Sequence, residues 1–164
     1  MTLSQTAKSP RSSKEKETLS LSEFRKLSEF RFQIRRFLRF SESEARSRGL
    51  EPQQHQLLVA VKGLPAGMDP TVANLAHRMQ LAHHSMVELI DRVTEKGLAQ
   101  RRTAPDDRRS TWVVLTPKGN KAVGGISALT YTELQTSFVD LLDSLQRVID
   151  DKPNAARGKK SRAR

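Results

Sequence analysis

Two short stretches hold the residue types that could do chemistry. Residues 83–88 read His-His-Ser-Met-Val-Glu, and residues 101–109 read Arg-Arg-Thr-Ala-Pro-Asp-Asp-Arg-Arg. Both offer hydrogen bonds and charge rather than a reactive centre. The first supplies imidazole and hydroxyl groups; the second supplies guanidinium forks that match phosphate oxygens and paired acceptors. Bond-breaking chemistry has no comparable support, because the chain shows no Gly-rich phosphate loop, no nucleophile motif and no paired carboxylates in a polar cleft pattern. An enzyme is therefore disfavoured. The absence of Cys removes a thiol nucleophile, a disulfide framework, a Cys-based zinc site and a cysteine redox sensor. Of the four histidines, His55, His77, His83 and His84, none forms the i, i+4 pair that sets two ligands on one helix face, so neither a metal nor another cofactor is expected.

Where the charge sits narrows the partner. The 164 residues carry a formal net charge of +11, and the sequence pI is about 10.6, which favours a polyanion if the charge is concentrated on a structured face. Residues 1–20 contribute +2 and residues 151–164 contribute +5. Both stretches are polar, charged and poor in apolar residues, the composition of disordered basic tails. The remaining 21–150 carries only +4. Basic tails are often merely solubilising, so address must come from the core. No apolar run approaches the ~18 residues of a membrane span, and the N-terminus has no apolar block of signal-peptide length. No membrane partner and a cytoplasmic location are expected.

The elements that must position these groups follow from periodicity. From Ser22 to about Arg46, Phe24, Leu27, Phe30, Ile34, Phe37 and Leu38 recur at steps of three and four, predicting a long amphipathic helix. Five of the six Phe residues lie in it, more than a lone surface helix hides. Gly49 stops it, and Pro52 opens a second helix running through Leu57, Leu58 and Val61 to Gly63. Thr71 caps a short helix with Leu75, Ala76 and Met79 inward; Gln80 and Leu81 interrupt; and a further helix covers about 82–96 with Met86, Leu89, Ile90 and Val93 inward and Gly97 as its stop. Two short helices with a tight join form a helix-turn-helix pattern. Residues 98–103 and 110–115 read as a hairpin with a charged tip. Thr116 and Pro117 then open a last helix whose Leu134, Phe138, Leu141, Leu145 and Val148 resemble a coiled-coil seam, with a kink or break expected at Gly124-Gly125.

This order is mainly α with a small β-hairpin, and the residues now carry a family resemblance. Leu57-Leu58, Thr71-Val72-Ala73-Asn74-Leu75-Ala76, the run Val87 to Leu98, Asp106-Asp107-Arg108-Arg109 and Leu115-Thr116-Pro117-Lys118-Gly119 closely resemble the MarR family of bacterial transcription regulators, from about Phe24 to Val148. The resemblance implies a winged helix-turn-helix domain at 52–115, flanked by N- and C-terminal dimerisation helices at 21–48 and 117–150. It implies double-stranded DNA as partner, a homodimer, a nucleoid-associated site of action and a repressor of transcription.

In such a domain the second helix of the motif enters the major groove. His83 and His84 would donate to purine acceptors or phosphates, Ser85 would contact base or backbone, and Val87 would meet a thymine methyl. Glu88 would either read a cytosine amino group or oppose non-specific binding through its charge. In the family's Asp-x-Arg pattern, which falls on Asp107 and Arg109, the carboxylate positions a guanidinium for a narrow minor groove. Arg101, Arg102 and Arg108 are candidate phosphate clamps, while Arg92 either joins them or pairs with Asp91 or Glu95. The dimer interface would join Phe24, Leu27, Phe30 and Ile34 to Leu134, Phe138, Leu141, Leu145 and Val148. These apolar positions could instead form an intramolecular core, and the charged tip an ordinary solvated turn. A small aromatic or anionic effector is a further candidate partner, with Phe37, Phe40, His55 and Trp112 as its expected surroundings. The competing function is a non-specific architectural DNA-binding protein.

Overall fold

The computed structural model describes residues 19–150 of the chain. Five helices and one hairpin follow in the order α1 (Leu21–Ser47), α2 (Pro52–Lys62), α3 (Val72–Met79), α4 (His83–Glu95), β1 (Ala99–Thr103), β2 (Thr111–Leu115) and α5 (Pro117–Ile149). The expected tails at 1–20 and 151–164 lie outside the described residues, except for Leu19 and Ser20. Ser20 belongs to the fold rather than to a tail. Its hydroxyl accepts the N–H of Glu23, whose carboxylate accepts the N–H of Ser20 in return, closing a capping box at the start of α1.

Chain stops are built alike at three places. At the end of α1, Gly49 has φ +75 and the N–H of Leu50 returns to the carbonyl of Ala45. At the end of α4, Gly97 has φ +68 and the N–H of Leu98 returns to Val93. Between α3 and α4 the same 6→1 closure runs from Leu81 to Ala76, with Gln80 at φ 52. All three match a Schellman stop, in which a left-handed residue lets the chain turn while satisfying the last carbonyls. Thr71 and Thr116 start α3 and α5 by accepting the N–H groups of Asn74 and Gly119, as their sequence positions predict.

The core lies beneath the helix-turn-helix. Leu57, Leu58, Leu75, Met86, Leu89, Ile90, Val113, Val123 and Ile126 are fully buried, so α2, α3, α4, β2 and the first turns of α5 share one interior. A bridge between Thr71 and Trp112, with the N–H of Val113 donating to the carbonyl of Pro70, ties the start of α3 to β2. His55 is also buried here, and burial lowers its pKa below the ordinary imidazole range.

Helices α1 and α5 run antiparallel. Arg36 of α1 pairs with Asp140 of α5 at 3.4 Å, while Arg48 at the other end lies against Gly125. Helix α5 runs through Gly124-Gly125 without a break. Two glycines cost a helix about 1 kcal/mol each, and tertiary packing on both sides of the pair (Val123 and Ile126 in the core, Arg48 across Gly125) offsets that cost.

Candidate nucleic-acid interface

The recognition candidates are sorted by the period of α4. Met86, Leu89, Ile90 and Val93 point inward, which leaves His83, His84, Glu88 and Arg92 exposed, with Ser85, Val87 and Asp91 half-buried at the margins. His84, Glu88 and Arg92 are four residues apart and form one stripe. Ala82 precedes the helix without a side-chain cap, and the first turn holds no acidic residue. Its leading N–H groups and positive dipole end are therefore left for an outside acceptor. Gln80 fixes the turn that aims this stripe.

The hairpin pairs Ala99 with Leu115 through to Thr103 with Thr111. Beyond it, the N–H of Ala104 donates to the carbonyl of Ser110 at 2.9 Å and the N–H of Ser110 to that of Asp107 at 3.0 Å. Asp107 places its carboxylate on the backbone N–H of Arg109, 2.9 Å away. The resemblance had implied that this carboxylate would hold a guanidinium. Here it fixes the backbone of the tip, an Asx-type turn, and the side chains of Arg108 and Arg109 stand exposed beside it.

Arg101, a candidate phosphate clamp, is engaged by a carboxylate, and Arg92 is not paired with its neighbour Asp91. Asp91 pairs with the guanidinium of Arg101, across from α4 to β1, so it is not the partner of its neighbour Arg92. Strand alternation explains the choice. Arg101 shares a face with buried Ala99, and that face looks toward α4. The pair ties the hairpin to α4, while Arg102, Arg108 and Arg109 remain on the outside of this wing. The signal was present in the sequence as the two-residue step from Ala99 to Arg101.

Along the arms, Phe24, Leu27 and Val148 are exposed, whereas Phe30, Ile34, Leu134, Leu141 and Leu145 are half-buried. The side chain of Phe138 lies outside the described residues. Leu38, part of the periodic apolar set, is exposed as well, and so are Leu21, Phe32, Tyr131, Val139, Leu142 and Ile149, which periodicity did not single out. Of the expected effector surroundings, Phe37 and Phe40 are half-buried in α1. His55 and Trp112 each bury a ring nitrogen without a hydrogen-bond partner.

Comparisons with known proteins bring out one family model, one curated regulator and several solved structures. Residues 48–110 match the model of the MarR family. A putative transcriptional regulatory protein for the hcr operon of Thauera aromatica is 29% identical over 114 residues, covering 70% of this chain and 67% of that protein. The crystal structure of AbsC, a MarR family transcriptional regulator from Streptomyces coelicolor, superposes with a TM-score of 0.66 at 19% identity, covering 82% of this chain and 93% of that one. A mutant MarR from E. coli complexed with operator DNA gives 0.58 at 17% identity, over 73% and 86% of the two chains. No helix among the described residues is long and apolar enough to cross a membrane. The stripe on α4, the wing beside it and the match over residues 48–110 make this chain similar to the MarR family of transcription regulators.

Proposed function

We propose that the protein is a homodimeric repressor that binds a pseudo-palindromic operator in bacterial chromosomal DNA and blocks access to the promoter. Residues 52–115 form the reading head, and 21–48 with 117–150 form the arms that join two copies. The observation that carries this reading is the linked surface on one side of the head. The stripe of His84, Glu88 and Arg92 is fastened to the exposed arginines of the wing through the Asp91–Arg101 pair. A helix stripe of this kind fits the ~12 Å major groove, and a basic wing tip one groove away fits the minor groove. His83, Ser85 and Val87 border the stripe, and Arg102, Arg108 and Arg109 supply the phosphate and minor-groove contacts. Two such heads related by a two-fold axis read half-sites about one helical turn apart.

Dimerisation is supported by the apolar side chains left exposed on α1 and α5, since large exposed apolar patches mark interaction sites. A small aromatic or anionic effector is part of the same reading.

Selection of binding sites from random duplex DNA tests the proposal. The expected outcome is a two-fold symmetric consensus whose half-sites lie about 10 base pairs apart. Selection with Glu88→Gln should change the preferred base at one position per half-site if Glu88 accepts from cytosine. An enriched pool without symmetry would reject the dimeric operator reading.

A further inference from the structure

We infer that Gln100, on β1 of the wing, is a positioning residue for DNA binding: it aims the guanidinium of Arg102 at a backbone phosphate without neutralising it. This role rests on the function proposed above and adds to it a residue that no motif displays. The strand sorts two adjacent arginines onto opposite faces. Arg101 turns toward α4 and meets the carboxylate of Asp91. Arg102 shares the other face with Gln100, where the register sets half-buried Val114 opposite Gln100 and half-buried Trp112 opposite Arg102. There the amide oxygen of Gln100 accepts from Nη2 of Arg102 at 2.8 Å and from its Nε at 3.1 Å. A guanidinium has donors only, so the oxygen of the amide is the atom that faces it.

The two partners treat charge differently. Asp91 answers the charge of Arg101 with one of its own. The amide of Gln100 carries none, so Arg102 is held in place and keeps its full positive charge. Among the described residues no carboxylate pairs with Arg102, and its side chain is exposed on the outside of the wing. Gln100 occupies the Nε–Nη2 edge of the guanidinium. The end-on fork, with one N–H from each of Nη1 and Nη2, remains and matches two oxygens of a phosphate. An arginine already held this way loses less conformational freedom when it binds than a free one does. The device therefore strengthens contact with the backbone at every sequence and leaves base choice to α4.

The test pairs a measurement without DNA with one on DNA, using the full-length protein and its Gln100→Ala, Gln100→Glu, Arg102→Ala and Gln100→Ala/Arg102→Ala variants. In nitrogen-15 NMR of the free protein, the Nε–H of Arg102 should exchange with water more slowly in the parent than in Gln100→Ala. Equal exchange would overturn the pair itself. On a selected duplex, titrated at several salt concentrations, Gln100→Ala should weaken binding about three- to ten-fold with the salt slope unchanged. Arg102→Ala should make the slope shallower by about 1. Gln100→Glu should also make it shallower, because a carboxylate in the same place cancels the charge. In the Arg102→Ala background, Gln100→Ala should have no further effect. A loss that persists undiminished there, or full affinity in Gln100→Ala, would make Gln100 a structural residue only. Slow exchange of Nε–H in a parent protein that binds no duplex would instead retire the DNA reading, and the role of Gln100 with it.

Discussion

Asp107 accepts the backbone N–H of Arg109, so a carboxylate shapes the wing tip and the exposed guanidinium groups of Arg108 and Arg109 keep their donors. Arg109→Ala should therefore remove contact with the nucleic acid without unfolding the tip. The expected result is weaker binding at every sequence and a slope of log affinity against log salt shallower by about 1. An unchanged slope would take Arg109 out of the interface. The Asp91–Arg101 pair is 46% and 37% exposed, and pairs so exposed contribute only about 0–1 kcal/mol to folding. Its effect belongs to alignment of wing and helix. Asp91→Asn and Arg101→Gln should each weaken operator binding while leaving the urea midpoint nearly unchanged, and the double variant should lose less than the sum. Strictly additive losses would mean that Arg101 meets phosphate directly. The residue types of this site were legible in the sequence; their partners were not. Asp91 stands next to Arg92 in the chain, but the strand face of β1 brings Arg101 to it instead.

Helix boundaries were the most legible feature, because each rests on local chemistry. Thr71, Thr116, Pro117, Gly49 and Gly97 all act where their types predict. The Ser20–Glu23 box escaped notice because Ser20 borders a Ser-rich stretch with no local contrast. The glycines of α5 show why composition alone misleads inside an element. A Cβ on Gly119 would lie 1.9 Å from the carbonyl oxygen of Leu98, whereas one on Gly124 meets nothing within 4 Å. Gly119→Ala must push the start of α5 off Leu98, and should cost about 1–3 kcal/mol or more in urea unfolding. Gly124→Ala should be neutral or stabilise by up to about 1 kcal/mol through helix propensity. Equal effects of the two would contradict the close approach of α5 to Leu98. The role of Gly119 comes from tertiary contact, which no periodicity displays.

At the scale of the whole molecule, the net charge of +11 divides into +7 from residues 1–20 and 151–164 and +4 from residues 21–150, which hold the proposed reading surface. The arms divide as well. Phe30, Ile34, Leu134, Leu141 and Leu145 are half-buried within one chain, while Leu21, Phe24, Phe32, Val139, Leu142 and Ile149 are left exposed. Periodicity identified the apolar faces but could not apportion them between a chain's own packing and a second copy, since both make the same demand on residue type. The central claim is that this surface reads sequence, not merely charge. It is tested most directly by fluorescence anisotropy titration of the full-length protein against a selected symmetric duplex and a scrambled duplex of equal length, at ~150 mM salt. The account predicts two chains per selected duplex and an affinity ratio of at least about 10³ over the scrambled one. Equal affinities would contradict it and leave a non-specific architectural protein in its place.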